Sequence, residues 1–103
     1  MELVETAIFT RQVQEQWSDD EYRTFQLYLL TRPAAGRRIP GAGGLRKVRW
    51  RWGGRGKRGG VRVVYHWKVA ADRIYLLFLY PKHVRADLTP REIRVLRQLV
   101  RGE

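Results

Sequence analysis

Apolar residues recur along this chain at two spacings, and the changes between them mark its elements. Residues 3–9 (LVETAIF) read as a short strand, and Thr10 then caps a helical stretch running to Trp17. Ser18-Asp19-Asp20-Glu21 has the form of a capping box, with acids beside the positive end of a helix. That second helix carries Tyr22, Phe25, Leu29 and Leu30 at helical spacing and stops before Pro33. Residues 34–44 (AAGRRIPGAGG) read as a connector. Alternation then takes over: Val48, Trp50 and Trp52 share one strand face, while Lys47, Arg49 and Arg51 share the other. In the next strand Val63, Tyr65, Trp67 and Val69 alternate with Arg62, Val64, His66 and Lys68. Residues 73–80 are apolar on both faces, the mark of a central strand, and Asp72 lies in the tight turn before them. Thr89-Pro90-Arg91-Glu92 opens a last helix with Thr as cap, Pro at the first helical position and Glu completing the box. Ile93, Leu96, Leu99 and Val100 form its apolar stripe.

The order β-α-α-β-β-β-α predicts a single α+β domain over residues 1–103. It implies an antiparallel sheet of about four strands, with two N-terminal helices and a C-terminal helix packed mainly on one face. The opposite face, carrying Arg62, His66 and Lys68, is expected to stay open. Hydrophobic residues make up 44%, including 4 Trp, 3 Phe and 5 Tyr, which is enough to offset chain entropy, so the chain is expected to fold. Its longest near-continuous apolar run, Ile74 to Tyr80, is far short of the ~20 residues that span a bilayer. The N-terminus lacks the basic-then-apolar layout of a signal peptide. Cysteine is absent, which excludes disulfides, thiolate zinc sites and cysteine nucleophiles and fits a reducing cytoplasm.

Charge changes the picture most. Twenty-one Lys and Arg against ten Asp and Glu leave a net charge of +11. Between Glu21 and Asp72 there is no acid at all, while thirteen Lys and Arg fall there, eight of them within residues 46–62. Ordinary surfaces intersperse the two signs, so a merely solvated face explains this poorly; a polyanion such as RNA is the natural partner. The loop GGRGKRGG within this stretch suits a phosphate backbone. Its glycines permit close approach and expose N–H groups, while Arg55, Lys57 and Arg58 add charge. It is not a Walker loop, having no G-x-x-x-x-G-K-[ST] and no helix after it. Arg46, Lys47, Arg49, Arg55 and Arg58, with Lys68 on the open face, are the RNA-contact candidates. The alignment of Trp50 and Trp52 with Val48 favours core packing over base stacking, except that Trp52, beside the loop, is left open to stacking. His66 and His83, with sixteen residues between them and no acid near, make a poor metal site, and no metal or other cofactor is expected.

Four segments taken together, IPGAGGLRKVRW (39–50), GRGKRGGVRVVYHW (54–67), IYLLFLYPKH (74–83) and DLTPREI (87–93), resemble the RelE/HigB toxins of bacterial type II toxin–antitoxin systems. The nearest branch is the HigB-like one, often carried by phages and plasmids, and the resemblance in element order runs from about residue 1 to 101. It implies a RelE/ParE-like fold and an mRNA interferase that cleaves mRNA in the ribosomal A site. It also implies a cognate antitoxin, commonly of helix-turn-helix type, through which alone operator DNA would be reached. Metal-independent cleavage of this kind uses the neighbouring 2′-OH as nucleophile. It needs a base for that hydroxyl, cations for the phosphorane and an acid for the 5′-oxygen.

By the resemblance, Lys57 is base or phosphate ligand, and Arg55, Arg58 and Arg62 beside it favour its neutral form. Arg62 is assigned to stabilise the transition-state phosphate; the plainer reading is a solubilising charge on an edge strand. Lys82 contacts phosphate or takes part in proton transfer. His83 stands where relatives carry another polar residue; imidazole suits proton transfer, but a lone exposed His is commonly incidental. Tyr80 stacks on a base, donates its phenol, or is core. A second reading keeps the fold and drops the cleavage, as a ParE-like gyrase inhibitor or an inactive relative that binds only its antitoxin. Arg62 together with Lys57 and Lys82 favours the nuclease.

Overall fold

The computed structural model describes residues 1–51 and 60–101. In chain order these form β1 (Glu2–Glu5), α1 (Ala7–Gln16), α2 (Asp19–Thr31), β2 (Arg37–Arg38), β3 (Leu45–Trp50) and β4 (Val61–Lys68). A single 3-10 turn at Val69–Ala71, β5 (Arg73–Pro81) and α3 (Pro90–Arg101) follow. The strands make one sheet in the order β1-β5-β4-β3-β2. The α+β class and element order are as expected, but the sheet has five strands and is mixed rather than antiparallel. β1 runs parallel to β5, with Glu2 opposite Arg73 and Glu5 opposite Leu76, while the other neighbours are antiparallel. The fifth strand, β2, comes from the expected connector. At two residues it is too short to show any alternation, and Arg37 and Arg38 pair with Lys47 and Arg46.

The helices do not share a face. α1 and α2 bury Phe9, Val13, Trp17, Phe25 and Leu29 against Val48, Val61, Val63, Tyr65, Ile74, Leu76 and Leu79. α3 lays Leu96, with Ile93 and Val100, on the other face against Leu45, Val64, Tyr75, Leu77 and Tyr80. The physical reason lies in β5, which is apolar on both sides and so needs cover on both. The face expected to stay open is therefore covered in part by α3.

A bulge in β5 decides what that remaining surface contains. Val64 pairs with Phe78 and Tyr65 with Leu76, so Leu77 is an extra residue. Leu77 and Phe78 consequently both join the α3-side cluster, and the alternation resumes out of phase, with Leu79 towards α1 and α2 and Tyr80 towards α3. Unbroken period-2 alternation from Ile74 would have put Tyr80 on the other face.

Local chemistry fixes the element ends. Thr6, not Thr10, caps α1: its hydroxyl accepts from the Phe9 N–H at 3.1 Å. β1 ends at Glu5, where its pairing with β5 ends. Thr10 lies inside the helix and donates its hydroxyl to Glu5. Both expected capping boxes form. Ser18 and Glu21 exchange bonds at 3.1 and 3.2 Å, and Thr89 and Glu92 at 2.8 and 3.2 Å. The residues before β2 are held by buried Tyr65, whose hydroxyl donates to the Pro33 carbonyl at 2.7 Å and accepts from the Gly36 N–H at 2.8 Å. Among the described residues no helix is long and apolar enough to cross a membrane.

Candidate active site

The strand registers bring three residues into one row. Arg49 on β3 pairs with Arg62 on β4, and Arg62 pairs with Tyr80 on β5. Directly opposed residues hold their Cβ atoms ~4.5–5.5 Å apart on one face, so the three side chains must be neighbours. One step along the sheet, Lys47 pairs with Arg37 on the same face. Lys82 comes just after β5. Its N–H donates to the Gly60 carbonyl at 3.0 Å, carrying the β4–β5 ladder one step further. Gly60 itself has φ +61°, and a Cβ there would lie 2.2 Å from the Trp50 carbonyl oxygen, so only glycine fits.

Of these, Arg37, Lys47, Arg49, Arg62 and Lys82 line a polar hollow of about 570 Å³, within the size range of ligand clefts, and Tyr80 adjoins it through its pairing with Arg62. Its cations are Arg37, Lys47, Arg49, Arg62 and Lys82, its apolar wall includes Tyr28 and Val48, and its acid among the described residues is Asp87.

Burial separates the roles. Arg62 is only 7% exposed and sits on the middle strand of the sheet, which excludes an edge-strand solubilising charge. Burial first, and then the charge of Arg49, lower its pKa from the ordinary guanidinium value; an Arg remains charged nonetheless. Tyr80 is 3% exposed, with the Arg85 guanidinium 5.3 Å from its ring centre and Phe78 at 6.3 Å. That leaves its hydroxyl rather than its ring face for chemistry. Burial, and then Asp87, raise the phenol's pKa, so at neutral pH it keeps its proton and is a donor. Asp87 accepts from the Lys47 ammonium at 2.7 Å, and this bond holds its carboxyl below the usual range. Arg85 bonds Glu92 at 2.8 Å while lying over Phe78 and Tyr80, which fastens the segment between β5 and α3 to both.

Not every candidate joins the row. Arg46 points to the other face and donates to the Gly36 and Ala34 carbonyls at 2.8 and 3.3 Å, a tie on the chain before β2. Lys68 ends β4 six residues from Arg62, ~20 Å away by strand rise. His83 is exposed and lies outside the hollow's lining. His66 stacks on Tyr75 at 6.4 Å and has Nδ1 3.4 Å from the Gly44 carbonyl. Trp50 packs on Phe25 and Tyr28, as core. Arg55, Lys57, Arg58 and Trp52 lie outside the described residues. Sequence reasoning missed Arg37, which looked like connector, and Asp87 and Arg85, whose sequence neighbours carry no period.

Residues 40–102 match the protein family described as the RelE toxin of the RelE/RelB toxin–antitoxin system. The chain belongs to the RelE toxin family. Among solved structures it is similar to the toxin RelE of E. coli, in a double arginine-to-alanine variant in the free state. The TM-score is 0.60 at 12% identity, over 94% of this chain and 93% of that one. At that identity the likeness is one of fold. This RelE-family protein is thus the toxin of a toxin–antitoxin pair. The stretch matched to the family contains Lys47, Arg49, Arg62, Tyr80, Lys82 and Asp87, while Arg37 and Tyr28 reach the hollow from outside it.

Proposed function

We propose that this toxin is a ribosome-dependent mRNA endonuclease, neutralised by its cognate antitoxin, and that the hollow is where the chain is cut. The observation that carries the reading is the Arg49–Arg62–Tyr80 row, with the Arg62 guanidinium recessed in a hollow shared with Lys47 and Lys82. Perturbed titratable groups gathered in a cleft are the usual sign of a reacting site. In the reaction, the 2′-oxygen bonds to phosphorus while the bond to the 5′-oxygen breaks, leaving a 2′,3′-cyclic phosphate and a 5′-hydroxyl. Arg62, with Arg49 beside it, neutralises the phosphoryl oxygens as charge builds there. The exposed Lys82 and the protonated Tyr80, next to Arg62 in the row, are the donors for the departing 5′-oxygen. Lys57 is assigned base or phosphate contact, and His83 a proton carrier, on the family resemblance alone.

Bringing RNA to these groups in a fixed geometry is the ribosome's part, so little cleavage of naked RNA is expected. The test programmes ribosomes with a defined mRNA and maps new 5′ ends after adding wild type, Arg62→Ala, Arg62→Lys or Lys82→Ala, with circular dichroism to check folding. Loss of cutting in folded Arg62→Ala and Lys82→Ala supports the assignment. Undiminished cutting in both overturns it, and growth arrest with intact mRNA points to a binding toxin.

A further inference from the structure

The carboxylate of Asp87 is out of place in a hollow built for phosphates. It sits opposite Lys47 on the exposed segment between β5 and α3, its charge raises the Tyr80 phenol, and Lys47 and then Lys82 favour its ionised form. Against a phosphate it would be repulsive, so a different part of the RNA must account for it. Its side chain is 71% exposed, and that of Lys47 27%, so the pair is open to a ligand while the ion pair stays closed. An ammonium has three N–H donors and spends one on Asp87 Oδ1; that oxygen keeps a second lone pair, and Oδ2 has its own. Side by side, then, the ion pair offers donor, acceptor and acceptor.

Guanine is the base whose pairing edge runs acceptor, donor, donor, through O6, N1–H and N2–H. Adenine, cytosine and uracil lack two adjacent donors and can satisfy only one carboxylate oxygen. Single-stranded RNA exposes this edge to side chains.

We propose that Lys47 and Asp87 together form a guanine-reading subsite beside the phosphate row, with Lys47 on O6 and the Asp87 carboxylate on N1–H and N2–H. The inference rests on the RNA-cleaving reading for its RNA partner and adds to it a residue that sets base preference. Asp87 is here a specificity residue and touches no reacting atom.

The experiment measures fluorescence anisotropy of labelled single-stranded RNA octamers, all uridine or with one central uridine replaced by G, A or C, at low salt. Wild type is expected to bind the guanosine octamer about tenfold more tightly than the others. Asp87→Ala should erase that preference while its affinity for all-uridine RNA rises, because a negative charge has gone; Asp87→Glu should keep part of the preference. Equal affinity of wild type for all four octamers, or no binding to any, overturns the proposal. So does an Asp87→Ala affinity that rises equally for all four, which would make Asp87 a counterion only. No cutting is scored, so the two readings fail separately. A chain that reads guanosine but leaves mRNA whole on ribosomes keeps the subsite and loses the nuclease; one that cuts without an Asp87-dependent preference does the reverse.

Discussion

At the residue scale, Tyr80 carries the most specific chemical claim. Its hydroxyl reaches the Ala86 carbonyl only at 3.4 Å, so removing it gives up little structure. Tyr80→Phe should change stability by less than ~1 kcal/mol yet lower single-turnover cleavage on ribosomes by roughly 10²-fold, the range of a lost proton donor. An unchanged rate would move the acid role to Lys82. Because burial raises the phenol's pKa above its ordinary 10.0, the group stays protonated throughout the neutral range and beyond. Loss of activity from its ionisation is therefore expected only above about pH 10.

At the element scale, the two connections that place the site are the closure of β3 onto β4 and the segment from β5 into α3. Gly60→Ala forces a Cβ to 2.2 Å from a backbone oxygen at positive φ and disturbs the carbonyl that holds the Lys82 N–H. A loss of more than ~1 kcal/mol in urea unfolding is expected, together with weaker RNA binding. Tyr65→Phe leaves the Pro33 carbonyl and the Gly36 N–H without that hydroxyl and should cost ~1–3 kcal/mol, since the Gly36 bond is buried and the Pro33 bond part-buried. Glu92 links Arg85 to the α3 cap, and both bonds hold its carboxyl below the usual 4.5. A depressed folded pKa means stability that is present above the ordinary value and lost as pH falls through the folded one. Thermal midpoints of Glu92→Gln should therefore lie below wild type at pH 7 and approach it by pH 3. A constant gap across that range would show that the side chain contributes by packing alone.

At the scale of the whole molecule, the radius of gyration is 12.9 Å, a compact value for a chain of this length. Its net charge of +11 is thus concentrated on a small body. RNA binding should fall linearly on a log–log plot against salt, by about −0.7 per phosphate neutralised. With five cations lining the hollow, a slope near −3 is expected from that surface if most of them meet a phosphate. A flat dependence would mean that the hollow does not engage the backbone.

Much of this was present in the order of residues. The Ser18 and Thr89 boxes depend on atoms three residues apart, and the alternation from Lys47 to Trp50 depends only on strand period, so both were legible without the fold. The charge imbalance between Glu21 and Asp72 likewise pointed to a polyanion, and four short segments carried the family resemblance. What the sequence could not supply was phase and company. One extra residue at Leu77 turns Tyr80 to Arg62's side, and no local signal marks that slip. β5 is apolar on both faces, yet the sequence reading put the helices mainly on one, because which helix covers which face depends on long-range packing. Asp87 meets Lys47 across forty residues of chain, a contact that no sequence period encodes. The sequence by itself determined the element types and the charge, through local sterics and composition; the tertiary structure alone decided which cations share a hollow, because that depends on strand register and a bulge.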